Sequence, residues 1–293
     1  MADFVQQFVA GLGAGAIYAS LALALVLIYQ FTGIVNFAQG ELAMFATYIA
    51  WTFIDAGLPF WLALILTLLI SFAGGMLIER VIIRPVEGAP ELTLVIVTVG
   101  LFIFVNAAAG WIWTFLIKDF PNPFPDGALR AGGVSLGYST LGVLAVVGGV
   151  MGLLYLLFRY TKVGLGMRAV ATNPDSARLV GIRVGWTLAF GWGLAALVGA
   201  VSGILVAPLL FLEPNMMGGV LIYAFAAATL GGFDSPLGAV VGGLIVGVAE
   251  TLAGSYVDAI GSDLKVGVPL AIILGVLLLR PQGLFGRAAV ERA

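Results

Sequence analysis

Six stretches of this chain are as long as, or longer than, a bilayer is thick and hold no Asp, Glu, Lys or Arg: residues 4–40, 56–78, 92–117, 131–158, 184–212 and 214–233. A helix needs about 20 apolar residues to cross the hydrocarbon core. The runs are continuous, not alternating with period two, which excludes a membrane β-barrel. Shorter uncharged runs at 42–54, 235–249 and 266–279 suit half-spans or spans with charged ends. The fold class is therefore all-α, a polytopic integral membrane bundle. Composition agrees: 10% of the 293 residues are charged, against roughly 25% in a soluble domain.

Charged and turn-rich breaks divide the chain into segments of roughly 5–29, 33–54, 60–78, 92–115, 139–158, 186–207, 216–232, 236–254 and 266–279. That predicts nine spans, or eight if 33–54 only dips into the membrane. Lys and Arg mark the cytoplasmic side. With 79–90, 159–185 and 280–293 inside, ten basic residues face the cytoplasm: Arg80, Arg84, five in the long loop, Arg280, Arg287 and Arg292. Lys118, Arg130 and Lys265 remain outside. The side on which the N-terminus lies depends on whether 33–54 crosses.

Missing residue types exclude whole classes of chemistry. There is no Cys, so no disulfide, thiol catalysis or Cys-ligated metal. There is no His, the commonest general base and metal ligand. No catalytic or metal site is expected. Met1–Gln7 carries Asp3 but no basic residue, so a cleavable leader is not expected and the first span is itself the insertion signal. A formal charge of −2 without a basic tail gives no reason to expect nucleic acid.

The 41 glycines recur at four-residue spacing, as in Gly11/Gly15, Gly148/Gly152, Gly199/Gly203, Gly238/Gly242 and Gly243/Gly247. Small residues let helices approach closely in lipid. Most of these pairs read as packing within one bundle, a minority as a path or subunit interface. Two glycine-bearing breaks, Thr32–Glu41 and Gly231–Ala239, interrupt apolar stretches in early and late parts of the chain. Paired broken helices mark substrate paths in transporters with internal repeats. The outer loop 118–138 holds FPNPFPDG, whose prolines forbid a continuing helix.

Glu41 lies in an apolar stretch beside Asn36 and Gln39. A carboxylate at membrane depth must be paired, hydrated or near the interface. Two compatible readings follow. The three line a polar cavity, or Asn36 caps a helix whose first turn accepts Glu41. Asn106 within LFIFVNAAAG is either interhelical glue or pore-lining. In GGFDSPLGA, Ser235 reads as cap, Pro236 as first turn, and Gly238 and Gly242 as packing positions. Glu213 and Glu250 sit near expected span ends, where interfacial placement suits them.

The longest polar interruption is Arg159–Arg183, with five of the 13 basic residues. Within it Asn173 reads as N-cap, Pro174 as first helical residue, Asp175 as a dipole-matched acid and Gly181 as the stop. SARLV then makes about two turns, and Leu165–Ala171 another short turn carrying Arg168. Its plain reading is a surface helix on the headgroups. A short capped helix also fits a groove on a soluble partner, with Ala177, Leu179 and Val180 as anchors.

GLGMRAVATNPDSARLVGIRVG resembles the coupling loop of permease subunits of bacterial ABC importers for branched-chain amino acids. TGIVNFAQGELAMFATYIAW resembles that family's early transmembrane motif and TLGGFDSPLGAVVGGLIVGVAE its late one; RPVEGAPELTLVIVTVG matches in style and position. Together they span residues 10–285 in the right order, and the chain is closer to the LivH-type of the two paired permeases. One departure is Gln39, where relatives often have His.

The resemblance implies one permease domain over 1–293, with a cytoplasmic coupling loop at about 159–185, in the inner (plasma) membrane of a bacterial cell. It implies a complex with a second permease (a heterodimer with a LivM-like chain), two cytoplasmic ATP-binding subunits and an external substrate-binding protein. Arg168, Asn173, Pro174, Asp175, Arg178 and Gly181 are then the coupling residues, and Asn36, Gln39, Glu41 and Asn106 the pathway residues. The chain binds no cofactor and hydrolyses nothing, since it lacks GxxxxGK[ST]; ATP and Mg belong to the partners. A urea or short-chain amide permease fits the same motifs. An ATP-independent carrier is disfavoured because Glu41 is nearly alone as an intramembrane carboxylate. An intramembrane enzyme is disfavoured further by the absence of His, Cys and paired carboxylates.

Overall fold

With no water to satisfy backbone N–H and C=O groups, a spanning segment must bond within itself, and long apolar runs become helices. The computed structural model describes residues 2–131, 134–257, 261 and 264–286. Arg287 and Arg292 of the charge tally lie outside the described residues. Each of the nine expected segments holds a helix, with 33–54 helical only from Gln39: α1 (Ala2–Thr32), α2 (Gln39–Asp55), α3 (Phe60–Ile78), α4 (Glu91–Trp113) and α5 (Tyr138–Tyr160) come first. Two short helices follow, α6 (Lys162–Thr172) and α7 (Pro174–Leu179). Then come α8 (Val184–Leu210), α9 (Met217–Gly231), α10 (Pro236–Tyr256) and α11 (Gly267–Leu279).

Six helical stretches among the described residues are long and apolar enough to cross a membrane: Asp3–Thr32, Phe60–Val86, Glu91–Trp113, Tyr138–Tyr160, Val184–Leu210 and Pro236–Tyr256. The second extends α3 through a π-helical turn, Glu79–Ile83, and a 3-10 turn, Arg84–Val86. The helices α2, α9 and α11 have 17, 15 and 13 residues. At 1.5 Å per residue each falls short of a hydrocarbon core of about 30 Å. Both glycine-bearing breaks interrupt helix as expected, at residues 33–38 and 232–235.

The chain divides into two compact units. One comprises Met1–Val26, Asn122–Ala145 and Gly219–Ala293. Here Gly11 and Gly15 of α1 lie against Gly243 and Gly247 of α10. A Cβ on Gly11 would stand 2.7 Å from the Val248 Cα, so only glycine permits the approach. The late break is built as its sequence predicts: Ser235 accepts from the Gly238 N–H at 3.0 Å and Pro236 opens α10. Leu284 and Phe285 donate back to the carbonyls of Leu230 and Gly231 at the break. The loop after α4 ends in a hairpin, β1 (Ala128–Ala131) with β2 (Val134–Gly137), antiparallel. Gln6 anchors it through two hydrogen bonds with the Ser135 backbone, 2.9 and 2.7 Å.

The other unit comprises Leu27–Pro121 and Val146–Gly218. The helix α8 is its core, buried almost continuously from Leu188 to Ala207, with α2 and α3 packed on it. Gly75 of α3 meets the Trp192 carbonyl, and Gly199 and Gly203 receive α2. By contrast Gly148 and Gly152 of α5 face open space within this chain.

Candidate functional site

The first candidate site is built on the entry to α2. Asn36, Gln39 and Glu41 are 1%, 0% and 2% exposed, so each polar atom needs a partner. The Asn36 amide donates to Gln39 Oε1 at 3.2 Å, and its Oδ1 accepts from the Ala38 N–H at 3.1 Å. Gln39 Nε2 in turn donates to the Ala195 carbonyl of α8 at 3.1 Å. One expectation is corrected here. The N-cap of α2 is Ala38, without a side-chain bond; Asn36 instead closes an Asx-type turn that leads into the helix. Glu41 does occupy the first turn. Asn36 also lines a small crevice with Ile28, Ile34, Leu94, Thr98 and Trp192.

Asn106, half-buried on α4, joins this group. Its Nδ2 lies 3.2 Å from Glu41 Oε2, 3.0 Å from the Pro214 carbonyl and 3.2 Å from Asn215 Oδ1. All four expected pathway residues thus meet in one unit, Asn106 acting between helices. Pro214 and Asn215 give no local signal in the sequence: an EPN turn after a span reads as a turn.

The second candidate site is the basic loop. Thr161 caps α6 and accepts from the Gly164 N–H at 3.0 Å. Asn173 caps α7 and accepts from the Ser176 N–H at 2.9 Å. Pro174 opens α7, and Gly181 stops it at φ +85°. Arg178 pairs with Asp175 at 3.1 Å, with 58% and 89% of their side chains exposed. Arg168, Asn173, Pro174 and Gly181 are exposed as well. One anchor is corrected: Ala177 is buried and packs with Val170, Val184 and Leu188. At six residues, α7 needs one face for its own chain. Leu179 and Val180 are 89% and 76% exposed.

Arg84 ties this loop to the bundle. Its guanidinium grips buried Glu79 through two bonds, 3.2 and 2.9 Å. It also donates to the Gly185 carbonyl, at the start of α8 immediately after the loop. The orientation tally counted Arg84 as a charge in a loop; it is a strut joining the end of α3 to α8.

Sequence reasoning gave Glu250 no partner. The Tyr18 hydroxyl donates to its Oε2 at 2.8 Å, and Tyr18 lies near the middle of α1, not at an end. Tyr223 stacks on Tyr18 at 4.5 Å with 7° between ring planes. A phenol donor from another helix partners this half-buried acid, and no local pattern announces such a pair. Among the described residues no group of three or more acidic side chains is placed to hold a metal ion.

Long apolar helices, two of the breaks and a polar cluster around α2 define a polytopic helical membrane permease. The chain's fold is similar to a chain in the solved structure of PsaBC from Streptococcus pneumoniae in complex with Fab. The TM-score is 0.50 at 14% identity, over 93% of this chain and 91% of that one. Residues 7–277 match the family described as branched-chain amino acid transport system / permease component, and the chain belongs to that family. It is 31% identical to the high-affinity branched-chain amino acid transport system permease protein BraD of Pseudomonas aeruginosa, over 99% of this chain and 98% of BraD. With LivH of Salmonella typhimurium identity is 32%, over 99% and 97%. With the probable LivH of Methanocaldococcus jannaschii it is 31%, over 91% and 87%. The chain is a multi-pass inner-membrane protein and a permease component of an ABC transporter.

Proposed function

We propose that this chain, as a single permease domain over 1–293, forms half of the translocation path of an ABC importer for branched-chain amino acids. Its relatives' designations favour that substrate class over urea or short-chain amides. A LivM-like permease completes the path, an external protein delivers the amino acid, and two cytoplasmic subunits supply ATP hydrolysis. The chain itself catalyses nothing and holds no cofactor. Asn36, Gln39, Glu41 and Asn106 line or brace the path; Arg168, Asn173, Pro174, Asp175, Arg178 and Gly181 meet the ATPases.

The observation that carries this reading is the loop's construction: Leu179 and Val180 project outward from a capped helix whose inner face is welded to α8. Force on α7 passes through Ala177 and Val184 into α8, and through the Arg84 strut into α3. Purification from native membranes in mild detergent tests it. An ATPase should accompany the chain and be lost on changing Arg178 and Gly181. Recovery of the chain alone, with transport intact, would make it an ATP-independent carrier. Replacing Gly181 by Val should cost roughly 1–2 kcal/mol of local strain and uncouple hydrolysis from uptake while the protein stays in the membrane. Normal uptake in that variant removes the coupling role.

A further inference from the structure

We propose that Glu41, the Pro214 carbonyl and Asn215 form the seat for the α-ammonium group of the transported amino acid, an inference that rests on the permease role above. Three oxygens converge on one nitrogen, Asn106 Nδ2, at 3.2, 3.0 and 3.2 Å. An amide –NH2 has only two hydrogens to share among them. An ammonium group has three, and carries the charge that Glu41 lacks: among the described residues no Lys or Arg pairs with it. A carboxylate at membrane depth without a cation costs several kcal/mol, and an arriving –NH3+ relieves that cost.

The seat is reachable. Glu41 and Pro214 are buried, but Asn215 is exposed and Asn106 half-exposed. Asn106 is the occupant in the resting state. Rotating its amide turns Oδ1 toward the vacated point and adds a fourth acceptor. The polarity also continues beyond the seat: Tyr48, seven residues along α2 and so on the same face as Glu41, has a buried hydroxyl with no hydrogen-bond partner. The seat takes a primary ammonium on a small aliphatic body. It selects against the same body bearing only a carboxylate, because three oxygen acceptors then face an anion.

The test uses the complete importer, purified with its partner subunits. Leucine uptake into proteoliposomes, with the binding protein supplied, reads the permease role. Binding to the detergent-purified complex, without the binding protein, reads the seat: radiolabelled 3-methylbutylamine carries the ammonium and no carboxylate, and 4-methylpentanoate the reverse. Saturable amine binding that 4-methylpentanoate does not displace is expected. Glu41→Gln should weaken it about tenfold or more, as for loss of one charged hydrogen-bond partner. Absent amine binding in the wild type, equal displacement by 4-methylpentanoate, or unchanged binding in Glu41→Gln overturns the seat. The first two need no variant to fold. Leucine uptake beside any of those results leaves the permease role standing; absent uptake beside Glu41-dependent amine binding removes that role and keeps the seat.

Discussion

The starts of α2 and α7 carry the same local writing and end in opposite environments. Each has an Asn shortly before or at the helix start and an acid in the first turn: Asn36 with Glu41, Asn173 with Asp175. Around α2 the partners come from far along the chain, Ala195 for Gln39 and Asn106 for Glu41, and the side chains are buried. Around α7 the side-chain bonds of Asn173 and Arg178 close within three residues, and both side chains stand in solvent. Polar residues of the first kind are partnered inside the bundle. Those of the second shape a surface and are available to a partner.

That contrast can be broken or sharpened by substitution, and the largest effect belongs to α2. Asn106→Leu strips Glu41 of its donor and should cost about 3 kcal/mol, the penalty for a buried charged acceptor left unpaired. A thermal melt in detergent that matches wild type would mean Glu41 is solvated. Next, Gly203→Val drives a side chain into the Ala43 carbonyl, 2.5 Å from where its Cβ would stand. It should cost about 2 kcal/mol through overpacking, read as a lower melting temperature and less monodisperse protein. On α7, Asn173→Ala removes a cap worth about 1 kcal/mol. The melt should move little while ATPase-coupled uptake falls; the opposite pattern would place α7 among the elements that hold the fold. Smallest in stability is Arg178→Ala, which breaks an exposed i, i+3 pair worth about 0.5 kcal/mol or less. Its effect should appear in ATPase recovery on co-purification, and a melt shift as large as that of Asn106→Leu would erase the distinction between the two regions.

Arg84 shows what reading charge alone leaves out. In sequence it is one of ten residues that orient the chain; in the fold it binds Glu79 and Gly185 and carries the loop's position into two helices. Glu250 likewise has a partner that its position does not announce. Its place near a segment end suggests the interface, while α1 brings Tyr18 to it from 232 residues away. Each side chain has a partner on another helix, Gly185 of α8 for Arg84 and Tyr18 of α1 for Glu250. The caps at Ser235 and Asn173, the stop at Gly181 and both breaks were legible because their causes are local: a side-chain oxygen near a free N–H, a missing proline N–H, a positive φ.

The sequence by itself determined the solvent, the helices and their ends. Long uncharged runs admit only backbone that bonds within itself, and Gly, Pro, Ser and Asn punctuate them by short-range rules. It also marked Asn36, Gln39, Glu41 and Asn106 as residues requiring partners, because polar groups in an apolar span must have them. Tertiary structure decided who those partners are. It chose which face of α7 is spent on Val170 and Val184, and drew Pro214 and Asn215 to the side of Glu41. Those choices depend on helices meeting across long loops of chain, where spacing in sequence carries no information about distance in space.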